Sequence, residues 1–206
     1  MRLESGEADI EFELTAGERC LDFANTVTGP DRRRDLLPDY DALVAWSQRA
    51  GLVAPREAGL LRRGGARAPR TACAVLVRAR RLRELVFRVF ASVAVRRQVA
   101  PEDLDELAAF VAAASRHRRL TGAVDHFEWR WTRDAPALDR MLWPIAQSAA
   151  DLLTSEHVSS VRECAAPTCA WLFLDQSRNQ TRRWCDMKVC GNRAKVRRFH
   201  QRAREH

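Results

Sequence analysis

The 206-residue sequence contains no apolar run approaching the ~18 residues that a membrane-crossing helix needs, so no membrane partner is expected. Its opening stretch, MRLESGEADIEFEL, is acidic and lacks the apolar core of a secretion signal. The expected location is therefore the cytoplasm, where thiols stay reduced. Catalytic patterns are also missing. There is no Ser/His/Asp arrangement, no glycine-rich phosphate loop and no carboxylate pair at a defined spacing, and His117, His126 and His157 stand isolated. An enzyme is not expected. Lysine is scarce, with 2 Lys against 33 Arg. Arginine is the default cation, so a single arginine carries little information. Both lysines, Lys188 and Lys195, fall in one C-terminal segment.

What is present divides unevenly. The composition, 46% apolar and 30% charged, provides ample core material. The net charge of +8 is concentrated at one end: residues 162–206 hold eleven Lys+Arg against four acids, +7, which leaves +1 for the rest. A near-neutral domain of residues 1–158 followed by a basic module of 159–206 is the division this implies. A strongly basic module suits a polyanion such as nucleic acid.

Four of the six cysteines lie in that module, as C-AAPT-C at 164–169 and C-DMKV-C at 185–190. Each pair has four intervening residues, inside the range of about two to four that lets two thiolates reach one ion. Cys164, Cys169, Cys185 and Cys190 would complete a tetrahedral Zn²⁺ site with no open position, one structural zinc per chain. Disulfides, a redox pair and buried apolar cysteines are the competing readings.

Before the module the chain reads as mainly helical. Ile10, Phe12 and Leu14 alternate as in a short strand. Cys20 to Val27 suit a short helix, with Asp22 and Asn25 among apolar neighbours. These two either tie backbone groups or line a pocket. Pro38 should open a helix ending at Gly51, and Pro55 another through Leu61, followed by a flexible RRGGARAPR connection. Over 70–98, Ala72, Val75, Leu76, Ala79, Leu82, Val86, Val89 and Val93 recur at helical spacing, with Arg78, Arg80, Arg81, Arg83 and Arg88 on a solvated side. A helix from Pro101 should carry Leu104, Leu107, Ala108 and Val111. A small hairpin should follow a Thr-Gly turn at 121–122, with Phe127, Trp129 and Trp131 alternating. Leu138–Leu153 should return to helix, kinked at Pro144. Four tryptophans, Trp46, Trp129, Trp131 and Trp143, are either core or the wall of a ligand pocket. Asp22, Asn25, Trp46 and Trp129 are the candidate pocket residues for a small-molecule effector.

The run from Cys164 to Lys195, with W-L-F-L-D at 171–175, R-R-W-C at 182–185 and C-G-N-R-A-K at 190–195, resembles the CGNR zinc finger family of bacteria. The preceding region resembles the ABATE domain, whose opening motif matches Leu21-Asp22-Phe23-Ala24-Asn25-Thr26. Proteins of this architecture are described as stress-induced transcription regulators. The resemblance implies DNA binding by the finger and a sensing role for the helical domain. The fold expected is mainly α, a helical domain with a minor β-hairpin plus a small zinc-binding β/α module that is treble-clef-like.

Within the module, Gly191 should let the backbone turn closely around a ligand sulfur. A helix over roughly 189–204 should pack Val196 and Phe199 inward and show Arg193, Arg197 and Arg204, flanked by Lys195, Arg198 and Arg202. The candidate nucleic-acid contacts are Arg182, Arg183, Lys188, Asn192, Arg193, Lys195, Arg197 and Arg198. Asn192 either reads a base edge or ties the knuckle. The two functions left open are a sequence-reading DNA-binding regulator and a zinc-stapled protein- or RNA-interaction module. A homodimer would extend the short site that one finger can read.

Overall fold

The computed structural model describes residues 12–29, 31–32, 34–132 and 137–202. Among them the elements run α1 (Arg19–Ala24), β1 (Val27–Thr28), β2 (Arg34–Asp35), α2 (Tyr40–Arg49), α3 (Pro55–Arg67), α4 (Pro69–Ala94), α5 (Pro101–Ser115), β3 (Arg118–Ala123), β4 (His126–Trp131), α6 (Leu142–Thr154), β5 (Val161–Glu163), β6 (Leu172–Leu174) and α7 (Asn192–Arg202). Helices dominate, and the strands form three antiparallel pairs, β1–β2, β3–β4 and β5–β6. No described helix is long and apolar enough to cross a membrane.

The spine is α4, 26 residues long, or about 39 Å at the rise of an α-helix. Its stripe is buried from Ala72 to Val89 as the spacing predicts, Val93 at its end is half-buried, and Leu85 and Phe90 widen it. The face is wide because α1, α2, α3, α5, α6, β5 and β6 all pack against α4. This crowding changes the fate of one arginine. Arg83, expected on the solvated side, is only 4% exposed and grips the Asp35 carboxylate with both terminal nitrogens, at 2.6 and 3.0 Å. A buried guanidinium needs such a partner. Arg78, Arg81 and Arg88 stay nearer the surface and bridge to Asp139, Glu106 and Asp103.

Several boundaries differ from the sequence expectation for identifiable reasons. The helix expected from Pro38 begins at Tyr40, because the Asp39 carboxylate caps it by accepting from the Ala42 N–H at 2.7 Å. The connection expected after Leu61 is helical to Arg67. A Cβ on Gly65 would lie 2.8 Å from the Tyr40 ring, so the glycine pair gives close helix packing rather than a break. The hairpin turns at Val124–Asp125, not at Thr121–Gly122, which pair across to Glu128 and Phe127. Pro144 falls in the first turn of α6, where its missing N–H breaks no bond, and the helix starts at Leu142 instead of Leu138. On α5, Leu104 and Ala108 are exposed while Leu107 and Ala114 are buried. Residues 12–15 form no strand, and Ile10 lies outside the described residues.

Instead, this N-terminal stretch holds the C-terminal module. All three residues of β6 are buried. The Leu174 N–H donates to the Ala16 carbonyl at 2.7 Å. Asn25, at the end of α1, reads the backbone of Leu172 with both ends of its amide: its Nδ2 donates to the carbonyl at 2.8 Å, and its Oδ1 accepts the N–H at 2.9 Å. Asp22 accepts the Ala16 N–H at 2.9 Å and so fixes the turn at Gly17, whose φ is +85°. Burial pushes the Asp22 carboxyl up to about 6, against hydrogen bonds that pull it down. Asn25→Ala strands both Leu172 groups in the interior and should cost roughly 3 kcal/mol. Denaturant unfolding followed by tryptophan fluorescence measures this, and a loss below roughly 0.5 kcal/mol would contradict the clamp.

Candidate metal centre and nucleic-acid interface

The four paired cysteines meet behind the β5–β6 ladder. The chain leaves β5 directly into Cys164, whose N–H bonds the Trp171 carbonyl at 2.8 Å, and Cys169 closes a turn on Ala166. After β6, the carboxylate of buried Asp175 gathers the next loop. It accepts from Ser177 N–H at 3.0 Å, Ser177 Oγ at 2.6 Å and Arg182 N–H at 2.9 Å. Burial alone would raise its pKa, but these bonds outweigh burial and hold it below the usual carboxylate range. The loop delivers residues 182–185 to the site, where Ala165 N–H bonds the Arg183 carbonyl at 2.9 Å.

The sulfur geometry fits a closed zinc site. Four thiolates about 2.3 Å from one tetrahedral ion lie about 3.8 Å apart. The Cys169–Cys185 and Cys185–Cys190 sulfurs are each separated by 3.7 Å, and all four Sγ atoms fall within 4.8 Å of one another. All six cysteines are free, and four sulfurs gather at one point where a disulfide or a redox pair would bring together two. Cys20 is not part of the set. It is buried in the core, where burial pushes its thiol up to about 12. Within the cluster the thiols act on one another. Cys164 is driven toward thiolate by hydrogen bonds from Cys169 and Cys185, and those two are pushed up chiefly by Cys164. Proximity this tight therefore opposes a fourfold negative charge unless a cation joins the group. The donor set and its spacing support one structural zinc held by Cys164, Cys169, Cys185 and Cys190.

Beyond the cysteines, Asp186 starts a tight turn at 187–191 by accepting the Lys188 and Val189 N–H groups, and the Gly191 N–H bonds the Asp186 carbonyl at 3.0 Å. The backbone does turn closely at Gly191, and its own N–H closes this turn. It is the Cys185 N–H that donates to Cys164 Sγ, at 3.5 Å. A Cβ on Gly191 would lie 3.0 Å from the Met187 sulfur, so glycine admits Met187 at that point. The turn leads straight into α7.

The eight candidate nucleic-acid contacts separate here. Arg182 is committed to the protein. Its guanidinium lies 4.6 Å from the Phe173 ring and donates to the carbonyls of Trp184 and Cys185. Arg183 is exposed beside Trp184, and Lys188, Arg193 and Lys195 are exposed as well. Arg197 is half-buried. Asn192 donates its amide to the Lys188 carbonyl at 2.8 Å, which is the knuckle-tying role. Val196 points outward, 55% exposed, contrary to the inward packing expected of it. The side chains of Arg198, Phe199 and Arg202, and all of Arg204, lie outside the described residues.

The four proposed pocket residues do not gather. Asp22 and Asn25 form the clamp described above. Trp46 is core, 1% exposed, with its ring 5.0 Å from that of Phe23. Trp129 is 58% exposed on β4 and borders a cleft of about 400 Å³ between α1, the hairpin and α6. Trp131, one of the four tryptophans expected to be core or pocket wall, lines it too, and sequence reasoning missed the remaining residues. Arg118 lies 5.0 and 5.5 Å from the Trp129 and Trp131 rings and donates to Gln147 at 3.1 Å. The available signal was the strand alternation that sets Arg118, Trp129 and Trp131 on one hairpin face.

These features define a protein in which a four-cysteine metal module, ending in a basic helix, is clamped onto a helical domain. A sequence model of the ABATE family, described as "Putative stress-induced transcription regulator", matches residues 17–156. A model of the CGNR zinc finger matches residues 160–203. The chain belongs to the ABATE family and carries a CGNR zinc finger after the ABATE region. The search of curated proteins returns no match.

Zinc binding should release thiol protons, so affinity falls as pH falls, and acidification should strip the metal. Elemental analysis is expected to give about one zinc per chain near neutral pH. Cys185→Ala should lose the zinc and the ordered module while α4 and its neighbours stay folded. Full zinc occupancy in that variant would contradict the assignment.

Proposed function

We propose that the protein is a DNA-binding transcriptional regulator whose reader is the zinc-stapled module. The observation that carries this reading is the outer surface of α7 and the turn before it. Lys188, Arg193, Lys195 and Arg197 are clustered there, and residues 187–202 include no acid. Phosphate contacts dominate the affinity of such a surface, and base edges supply the sequence information. A cytoplasmic location suits both DNA access and reduced cysteines. A homodimer would double the short site that one helix reaches. The reading includes no catalytic step.

The helical part is proposed to respond to a small effector bound in the cleft beside Trp129 and Trp131. What supports this is the course of α1. Glu18 and Arg19 line the cleft, the Cys20 N–H bonds Ser148 there at 3.2 Å, and Asn25 at the far end of the same helix holds β6 of the module. A ligand that favoured one position of α1 would shift the module's equilibrium by its differential affinity. The second reading, a zinc-stapled protein- or RNA-interaction module, draws on the exposed apolar side chain of Met187, 48% exposed.

Fluorescence anisotropy with labelled duplex DNA distinguishes the two. The zinc-loaded protein is expected to bind at low salt with an affinity that falls steeply as salt rises. Arg193→Ala and Arg197→Ala should each weaken binding several-fold and reduce the salt slope by about 1, with zinc content unchanged. No binding of any duplex at low salt, or wild-type affinity in both variants, would sink the DNA reading.

A further inference from the structure

We infer that α7 presents Val196 to the floor of the DNA major groove, where it packs on the 5-methyl group of thymine. This rests on the DNA-reading proposal above and adds the chemistry by which bases are distinguished. A helix advances about 100° per residue, which fixes the order of side chains around α7. From one side of its outer arc to the other the described side chains run Lys195, Asn192, Val196, His200, Arg193, Arg197. Ala194 falls on the opposite side and is half-buried. Val196 therefore occupies the centre of the outer arc, with a cation to either side. At 55% exposure it is a β-branched apolar residue open to solvent.

Valine contributes nothing to phosphate binding. Its position suits a surface that is anionic at the edges and apolar at the centre. The major groove of DNA has that character, with phosphates along both walls and the thymine methyl as the apolar group on its floor. Val196 also lines a groove of about 620 Å³ on the protein, with Val189, Thr168, Lys188 and Arg193, which would let a base edge approach the apolar spot closely. Asn192, the other candidate base reader, has its amide tied to the Lys188 carbonyl at 2.8 Å, which fixes its side chain against the protein. Discrimination then falls to Val196 and to the adjoining arginines.

The same chemistry weighs against RNA as the partner. Uracil has no 5-methyl group, and the deep, narrow major groove of A-form RNA does not admit a helix. A protein partner would need acids to face the four cations and an apolar knob to meet Val196, whereas duplex DNA supplies both the anionic walls and the apolar methyl.

The test uses the full-length, zinc-loaded protein and duplexes enriched from a random pool, each resynthesised with thymine or with deoxyuridine. Replacing a contacted thymine should weaken binding about fourfold, the worth of one buried methyl group. In Val196→Ala the thymine and deoxyuridine duplexes should bind within about twofold of each other. The variant must retain zinc and the wild-type salt slope, since Val196 contacts no phosphate. Equal binding of both duplexes by the wild-type protein, at every thymine tested, overturns this inference while leaving the DNA reading standing. Failure to bind or enrich any duplex overturns both.

Discussion

Four sulfurs held within 4.8 Å of one another form the constraint on which the C-terminal module depends. Thiolates at that distance repel, and thiols at that distance cannot all ionise without a cation. One Zn²⁺ resolves the conflict and crosslinks the two cysteine pairs. A segment of about 45 residues buries too little apolar surface to fold on its own, so the metal contributes much of its stability. Asp175, Arg182 and Asp186 then complete the arrangement by satisfying the backbone of the loops that carry the cysteines.

The module has a second support. Asn25 and Ala16 bond the backbone edge of β6 while β5 pairs with it, so the finger's strand is finished by residues near the start of the chain. Zinc folds the finger and α1 seats it. Because α1 also borders the cleft beside Trp129, the seat is continuous with the place proposed for an effector. In the function proposed above, the physical link between sensing and reading is one short helix of six residues.

The sequence was legible where a single physical rule decides the outcome. Cysteine spacing specified the metal set, and apolar spacing specified the buried stripe of α4. The alternation of Phe127, Trp129 and Trp131 specified the hairpin. It was illegible where tertiary context chose between two roles of one residue. Nothing local distinguishes an Asn25 that lines a pocket from one that pairs with Leu172, 147 positions away. Arg182 and Arg83 look like surface cations in a chain rich in arginine, yet Phe173 and Asp35 claim them. Val196 follows helical spacing that would suit an inward side chain, yet it is 55% exposed and lines a groove with Val189 and Thr168.

Hydrogen exchange of the full-length, zinc-loaded protein, with and without saturating duplex DNA, tests the central claim most directly. The account predicts new protection across residues 187–197, with the hairpin at 118–131 unchanged. Protection confined to the hairpin or to α5, with residues 187–197 unaffected, would contradict it and place the nucleic-acid surface elsewhere on the molecule.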